Sequence, residues 1–400
     1  MKSIYYIVPL INFLVAALFG LLLRSMFVYA IDGPTFLYVL HTHSHIALLG
    51  WLYLLFYILF VRYFAIDTPV ENRFFKRLFW LTQLSVIGMG VTFPFMGYAV
   101  ASISFSTMHI ICSYIFAFRL WKNNNVSGTQ YGILLKIALF FMVFSTVGVW
   151  CLGPAVGLMG KTSDFYQICI QFFLHFQFNG WFLTAFMALL FATILKDYSL
   201  PKFKVFYCIW ILSVVLTYAL PLSWYMASSV LYYLNVLGVL LQFYVIGYLI
   251  KIIYSRFKGQ KKRLSVYLYL LLVLMGICLL IRIGMQLLTI SETIVVQLQG
   301  LRSWVVGFIH LNMLGVLSSF GIWLIIIDKK MIMNNWTKGG VFLLSLGFIS
   351  TEFILFIQGL QDIVGTYWLN RIPLLLFWES VLLPMSVLCF IFSYIKIKKL

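Results

Sequence analysis

Acidic residues are scarce in this chain: Asp and Glu together number ten in 400 residues, and charged residues of both signs make up only 10%. A soluble protein of this length carries about a quarter charged residues, because its surface has to face water. This composition cannot build such a surface, which excludes a soluble enzyme and a disordered chain. Cysteine is scarce too. The six are Cys112, Cys151, Cys169, Cys208, Cys278 and Cys389; none stands in a CxxC pair and all lie in apolar runs. That excludes a disulfide scaffold and leaves them as packing residues. No small-residue cleavage site clearly follows residues 4–23, a stretch long enough to span a bilayer, so no cleavable signal peptide is expected. What the chain has instead is hydrophobic residues, 63% of the total, in runs far longer than barrel strands. The expected fold is an all-α integral membrane protein in contact with the lipid bilayer.

Twelve apolar segments can be marked, at about 4–23, 36–64, 78–95, 98–120, 133–152, 165–195, 205–220, 224–254, 266–290, 300–327, 340–358 and 372–395. The breaks between them carry turn chemistry, as in Asp32-Gly33-Pro34, Asp67-Thr68-Pro69 and Asn123-Asn124-Asn125. No long loop remains to form a soluble domain, so residues 1–400 are read as one transmembrane domain. The net charge of +18 is not a nucleic-acid signal in so apolar a chain. With the N-terminus cytoplasmic, all but five of the 28 Lys and Arg fall in the inner loops, the tails and the start of the fifth segment; the five are Arg24, Lys161, Arg282, Arg302 and Arg371. This bias fits the positive-inside rule and places both termini in the cytoplasm; the expected location is a bacterial inner membrane, crossed many times.

The six histidines, His41, His43, His45, His109, His175 and His310, all lie in segments that run from outside to inside. His45, His109, His175 and His310 sit about ten residues from the outer start of their segments, roughly 15 Å deep at 1.5 Å per residue. Ionisable groups at that depth are costly and generally functional. A repeat connects three of them: the chain reads HIALLGW from His45, HFQFNGW from His175 and HLNMLGV from His310, with Gly five residues after each His. These histidines are 130 and 135 positions apart, four segments each time. A period of this kind implies three four-helix units, about 1–122, 123–257 and 258–400, around a pseudo-threefold axis. Gly beside His admits a neighbouring helix or a flat cofactor close to the backbone.

Neutral imidazole is a common nitrogen ligand of haem iron and copper. His41 and His45, four residues apart, share a helix face that His43 does not. The candidate cofactor ligands are His45 and His310, with His43 and His41 as alternatives on the second segment. The candidate second-metal ligands are His175, His43 and His109. Arg282 and Arg302, together with Arg371, lie near outer ends, where they would pair with haem propionates. Asn179 and Asn312 are candidate partners of the histidines, and Glu352 and Glu379 are the acidic residues well inside segments.

The string His43-Ser44-His45-Ile46-Ala47-Leu48-Leu49-Gly50-Trp51 resembles the HxHxxxLGW run of the C-type members of the haem-copper oxidase superfamily, although there the run lies on the tenth helix and here on the second. HSHIALLG is also similar to the HxHxxxxG run of the NnrS family of haem- and copper-linked membrane proteins. The resemblance implies twelve helices in three groups of four and a haem b held by His on the second and tenth helices, here His45 (or His43 or His41) and His310. It also implies a copper ligand at His175. Two departures stand beside it. Residues 205–220 contain no His to complete a copper site, and His310-Leu311-Asn312 stands where the family has HxH. The function expected on these grounds is electron transfer or chemistry on a gaseous substrate, oxygen or nitric oxide, with cytochrome c or quinol as redox partner. The alternatives are a haem or copper carrier, an assembly factor, a nitric oxide-responsive protein, or a proton-coupled transporter with a histidine relay.

Overall fold

The computed structural model describes residues 3–257, 265–298 and 300–397. Among these residues every regular element is helical, and twelve helices are long and apolar enough to cross a membrane. They are α1 (Ile7–Ser25), α2 (Phe36–Phe64), α3 (Pro69–Met96), α4 (Val100–Lys122), α5 (Gln130–Met159), α6 (Asp164–Thr193), α7 (Phe203–Ser223), α8 (Ser229–Arg256), α9 (Val266–Leu288), α10 (Arg302–Ile327), α11 (Asn335–Val364) and α12 (Ile372–Ile395). Each coincides with one of the apolar segments, as expected for a multi-pass membrane protein.

The ends follow capping chemistry more than hydropathy. α3 begins at Pro69, nine residues before the apolar run at 78, because the Thr68 hydroxyl accepts from the Glu71 amide and proline occupies the first turn. Its charged first turns also have a task. Glu71 takes two hydrogen bonds from Arg119, at 3.1 and 2.6 Å, and one from Asn123 at 2.9 Å, clasping the start of α3 to the end of α4. Ser163, Ser265 and Asn334 cap α6, α9 and α11 in the same way as Thr68. At the other end, Gly365 closes α11 with φ +71°, a left-handed conformation that costs glycine little.

Three helices occupy the centre. In their most apolar stretches 78% of α2, 83% of α6 and 83% of α10 is buried, against 33–61% for the other nine. They pack directly on one another. The Phe56 and Phe182 rings join α2 to α6 at 5.8 Å between centroids, and Phe186 and Phe320 join α6 to α10 at 4.8 Å. The Trp51 indole N–H donates to the Ser318 hydroxyl at 2.8 Å, joining α2 to α10. Around this trio run the neighbour pairs α3–α4, α5–α6, α7–α8, α9–α10 and α11–α12, with α12 returning to α1. Apolar side chains on the outer helices, such as Phe95, Val100 and Leu158, face outward, where lipid rather than water suits them.

Candidate functional site

The central helices share a departure from regular geometry. Ile46–Tyr53 in α2, Phe176–Phe182 in α6 and Leu311–Ser318 in α10 are π-helical, and each begins at the residue directly after His45, His175 or His310. A π turn is wider than an α turn, is rare, and gathers at functional sites. Side-chain bonding follows the wider turn in α10, where the Ser318 hydroxyl donates to the Met313 carbonyl five residues back, at 2.7 Å. The glycine of each repeat lies inside the π segment, where an adjacent outer helix comes close. A Cβ on Gly50 would meet Val86 at 2.8 Å and Asn12 at 3.1 Å; on Gly180 it would meet Phe141 at 2.8 Å, and on Gly315 the Cys278 sulfur at 2.4 Å. Gly therefore serves the approach of neighbouring helices.

The histidines fall into three places. His43 faces α1. Its Nδ1 lies 2.8 Å from the Ala16 carbonyl oxygen, so that nitrogen carries the proton and donates. The ring lies against Gly20, where a Cβ would be 2.9 Å from its Cε1. His310, on α10, belongs to the same neighbourhood: it stands within electrostatic reach of His43 and Arg24, and its Nδ1 is 3.7 Å from a carboxylate oxygen of Glu352 on α11. That oxygen is buried with no hydrogen bond. Four helices thus converge here, α1, α2, α10 and α11. Arg302 lies at the N-terminal end of α10 with its guanidinium 5.8 Å from the Phe36 ring. Nε2 of both histidines makes no hydrogen bond within the described residues.

His41 and His45 look the other way, toward α3 and α4. The His45 ring lies 4.4 Å from Phe93 and its Nδ1 donates back to the His41 carbonyl at 2.8 Å, while His41 sits 4.6 Å from the Tyr98 ring. His109 on α4 is within electrostatic reach of His45 and bonds the Leu49 backbone. Its Nε2 is buried without a partner, as is the hydroxyl of Tyr53, whose ring packs 4.6 Å away. The structure therefore sets His45 against Phe93 and His310 against Glu352 on different flanks of the central trio, and it is His43 that shares a flank with His310.

His175 is in the third place, and both its nitrogens are engaged. Nε2 donates to the Val214 carbonyl at 2.8 Å, and Nδ1 accepts from the Asn179 amide at 3.3 Å. The Asn179 carbonyl oxygen in turn accepts from Arg282 at 2.6 Å. Arg282 is therefore an interior residue, 0% exposed, instead of a rim residue near the outer end of α9. Asn312 bonds the Phe308 carbonyl of its own helix at 2.6 Å, and Glu379 accepts from Ser350 at 2.8 Å. His175, His43 and His109, grouped from sequence as a second-metal set, lie in three separate neighbourhoods. Among the described residues no three His, Cys, Asp or Glu side chains gather as a metal-ligand group. A cavity of about 440 Å³ opens at the C-terminal ends of the central helices, away from the histidines, lined in part by Tyr63, Tyr131, Lys196 and Trp323; it contains no histidine.

Sequence reasoning did not find the π segments or the grouping of His43 and His310 with Arg24, with Glu352 beside His310. The HxxxxG spacing was the signal for the first; nothing in the sequence carries the second. No protein-family model matches the chain, and none of the curated proteins compared with it matches either.

Proposed function

We propose that this chain is a haem-binding protein of the bacterial inner membrane, in which His43 and His310 would hold one haem b. The observation that carries the reading is the convergence of two imidazoles from neighbouring central helices, each with an unbonded Nε2, on one flank with Arg24 and Glu352. The donor chemistry fits the group. A haem-ligating histidine offers one nitrogen to iron while the other is held by a carbonyl or carboxylate that fixes tautomer and ring direction. Ala16 does this for His43, and Glu352 stands in position to do it for His310. Arg24 and Arg302 supply positive charge on the outer side for the propionates. Gly20 leaves the space that the His43 ring fills.

The haem, when bound, would supply one-electron chemistry. The chain's own residues bind and orient it and keep it among apolar side chains. The repeat of His, Gly and π segment on α2, α6 and α10 supports a haem-copper-oxidase-like arrangement of three four-helix units around a pseudo-threefold axis, with both termini cytoplasmic. The role is electron transfer, or chemistry on oxygen or nitric oxide, with cytochrome c or quinol as electron donor.

A second reading is favoured by His175, whose two nitrogens are already hydrogen-bonded. Carriage or sensing of haem, or of copper at His45 and His109, needs no oxygen-reducing pair of metals and no turnover.

The test is the absorbance spectrum of the full-length protein purified in detergent from cells supplied with a haem precursor. A Soret band and a dithionite-induced α band are expected. Both should be lost in His43→Ala and in His310→Ala and kept in His45→Ala. A colourless wild-type protein, or a spectrum unchanged in the first two variants, overturns the reading. Oxygen and nitric oxide consumption by the coloured protein then separates catalysis from carriage.

A further inference from the structure

Arg282 is wholly buried among α6, α9 and α10. Taking a guanidinium out of water is costly unless it is paired and its donors are satisfied. Elsewhere the chain meets that demand: Arg119 is held by Glu71 and Asn123, and Arg62 by Asp328. Arg282 pairs with no carboxylate among the described residues. Only Nη2 finds an acceptor, the Asn179 carbonyl oxygen, while Nε and Nη1 are buried with no partner. The Phe308 ring, 5.8 Å from the guanidinium carbon, offers a weak attraction to the charge and no acceptor atom.

The polarity of the connected bonds identifies what is lacking. His175 gives its Nε2 proton to the Val214 carbonyl, which leaves Nδ1 as the acceptor for the Asn179 amide. Asn179 thereby turns its oxygen toward Arg282. Every group in this chain is fixed in direction, and it ends in two unpartnered nitrogens on a cation, which carry three N–H groups between them. An acceptor completes it, and a negative one also neutralises the charge, which water does not.

We propose that Arg282, oriented by Asn179 and His175, is the binding site for one carboxylate or small oxyanion in the interior of the helical bundle. A free oxyanion and the carboxylate of a bound cofactor share that chemistry. The assignment does not depend on the haem ligands proposed above.

The experiment follows thermal unfolding of the full-length protein in detergent during titration with sodium formate and sodium nitrite, with chloride holding the ionic strength. A saturable rise in Tm in the wild type, lost in Arg282→Gln and weakened in Arg282→Lys, establishes the site with a free oxyanion as ligand, since binding to the folded state alone stabilises it. If the site is filled by a cofactor carboxylate, the protein as purified shows no rise, the rise appears after the pigment is extracted, and Arg282→Gln retains less pigment. No saturable rise in either preparation, or an equal rise with chloride, overturns the proposal. The wild-type titrations decide this even if a variant does not fold.

Discussion

The Nδ1 of His43 and the carbonyl oxygen of Ala16 are 2.8 Å apart. The bond crosses from α2 to a carbonyl on the turn of α1 that precedes Gly20, and it fixes which imidazole nitrogen remains for another task. Gly20 should therefore be sensitive in a graded way. A Cβ there meets the His43 ring at 2.9 Å, so Gly20→Ala displaces the ring by a few tenths of an ångström and Gly20→Val by more. Overpacking of this kind costs about 1–3 kcal/mol. The expected result is a partial loss of bound haem per protein in Gly20→Ala and a near-complete loss in Gly20→Val, read from the Soret absorbance against protein concentration.

Glu352 should act on the same site through His310. Its carboxylate lies 3.7 Å from Nδ1, and a carboxylate partner raises the basicity of an axial imidazole, which favours oxidised iron. Glu352→Gln is expected to bind haem and to raise its midpoint potential. Spectroelectrochemical titration of the two proteins measures this; an unchanged potential would show that Glu352 does not act on the ligand.

The glycines of the π segments give a stability test that needs no cofactor. Gly50→Val, Gly180→Val and Gly315→Val each drive side-chain atoms into a neighbouring outer helix at 2.8 Å or less and should each cost about 1–3 kcal/mol. Gly276→Ala is the control, because nothing lies within 4 Å of a Cβ there; it should be neutral or stabilising by up to about 1 kcal/mol. Unfolding in a detergent or lipid series ranks them.

Trp51 and Ser318 tie α2 to α10 through one buried hydrogen bond. Ser318→Ala leaves the indole N–H without its acceptor, a loss of about 1–3 kcal/mol. Trp51→Phe removes donor and need together. The double variant should then lose less than the two single losses added, a non-additivity that a double-mutant cycle reads directly.

The orientation also has a direct test. Reporter fusions after the α2–α3 loop, near Asp67, should be active as cytoplasmic reporters, and fusions in the α5–α6 loop, near Lys161, as exported ones. The opposite pattern would reverse the inside-outside assignment drawn from the basic residues.

Hydropathy alone located all twelve helices, because a bilayer-spanning run of about 20 apolar residues has no competing reading in a chain this poor in charge. It misjudged the start of α3 because Glu71, Arg73, Lys76 and Arg77 dilute the apolar signal of turns that Thr68 and Pro69 nonetheless cap as helix. The histidine site was legible in part. The common depth and the His-Gly spacing could be read directly, since both are properties of sequence position. The choice between His43 and His45 could not, because these residues point to opposite sides of α2 and only the packing of Val86, Asn12 and Ser318 around that helix sets its rotation. Arg282 was placed at a rim for a related reason: counting residues from a segment end gives depth along an axis and says nothing of how far a side chain lies from lipid.

The three π segments bear on how such helices are read at all. Each accommodates more backbone per turn than an α-helix, so the face presented above it and the face presented below it are no longer continuous on one wheel. On α2 the N-terminal half turns His43 to α1 while the C-terminal half turns Phe56 to α6. Removing one residue from Ile46–Tyr53 would return the span to ordinary winding and change the angle between the faces its two halves present. The histidines would then be carried off their neighbours while the composition and hydropathy of the span barely changed. In this protein the wider turn works like a gear between the half of the helix that packs and the half that carries histidine.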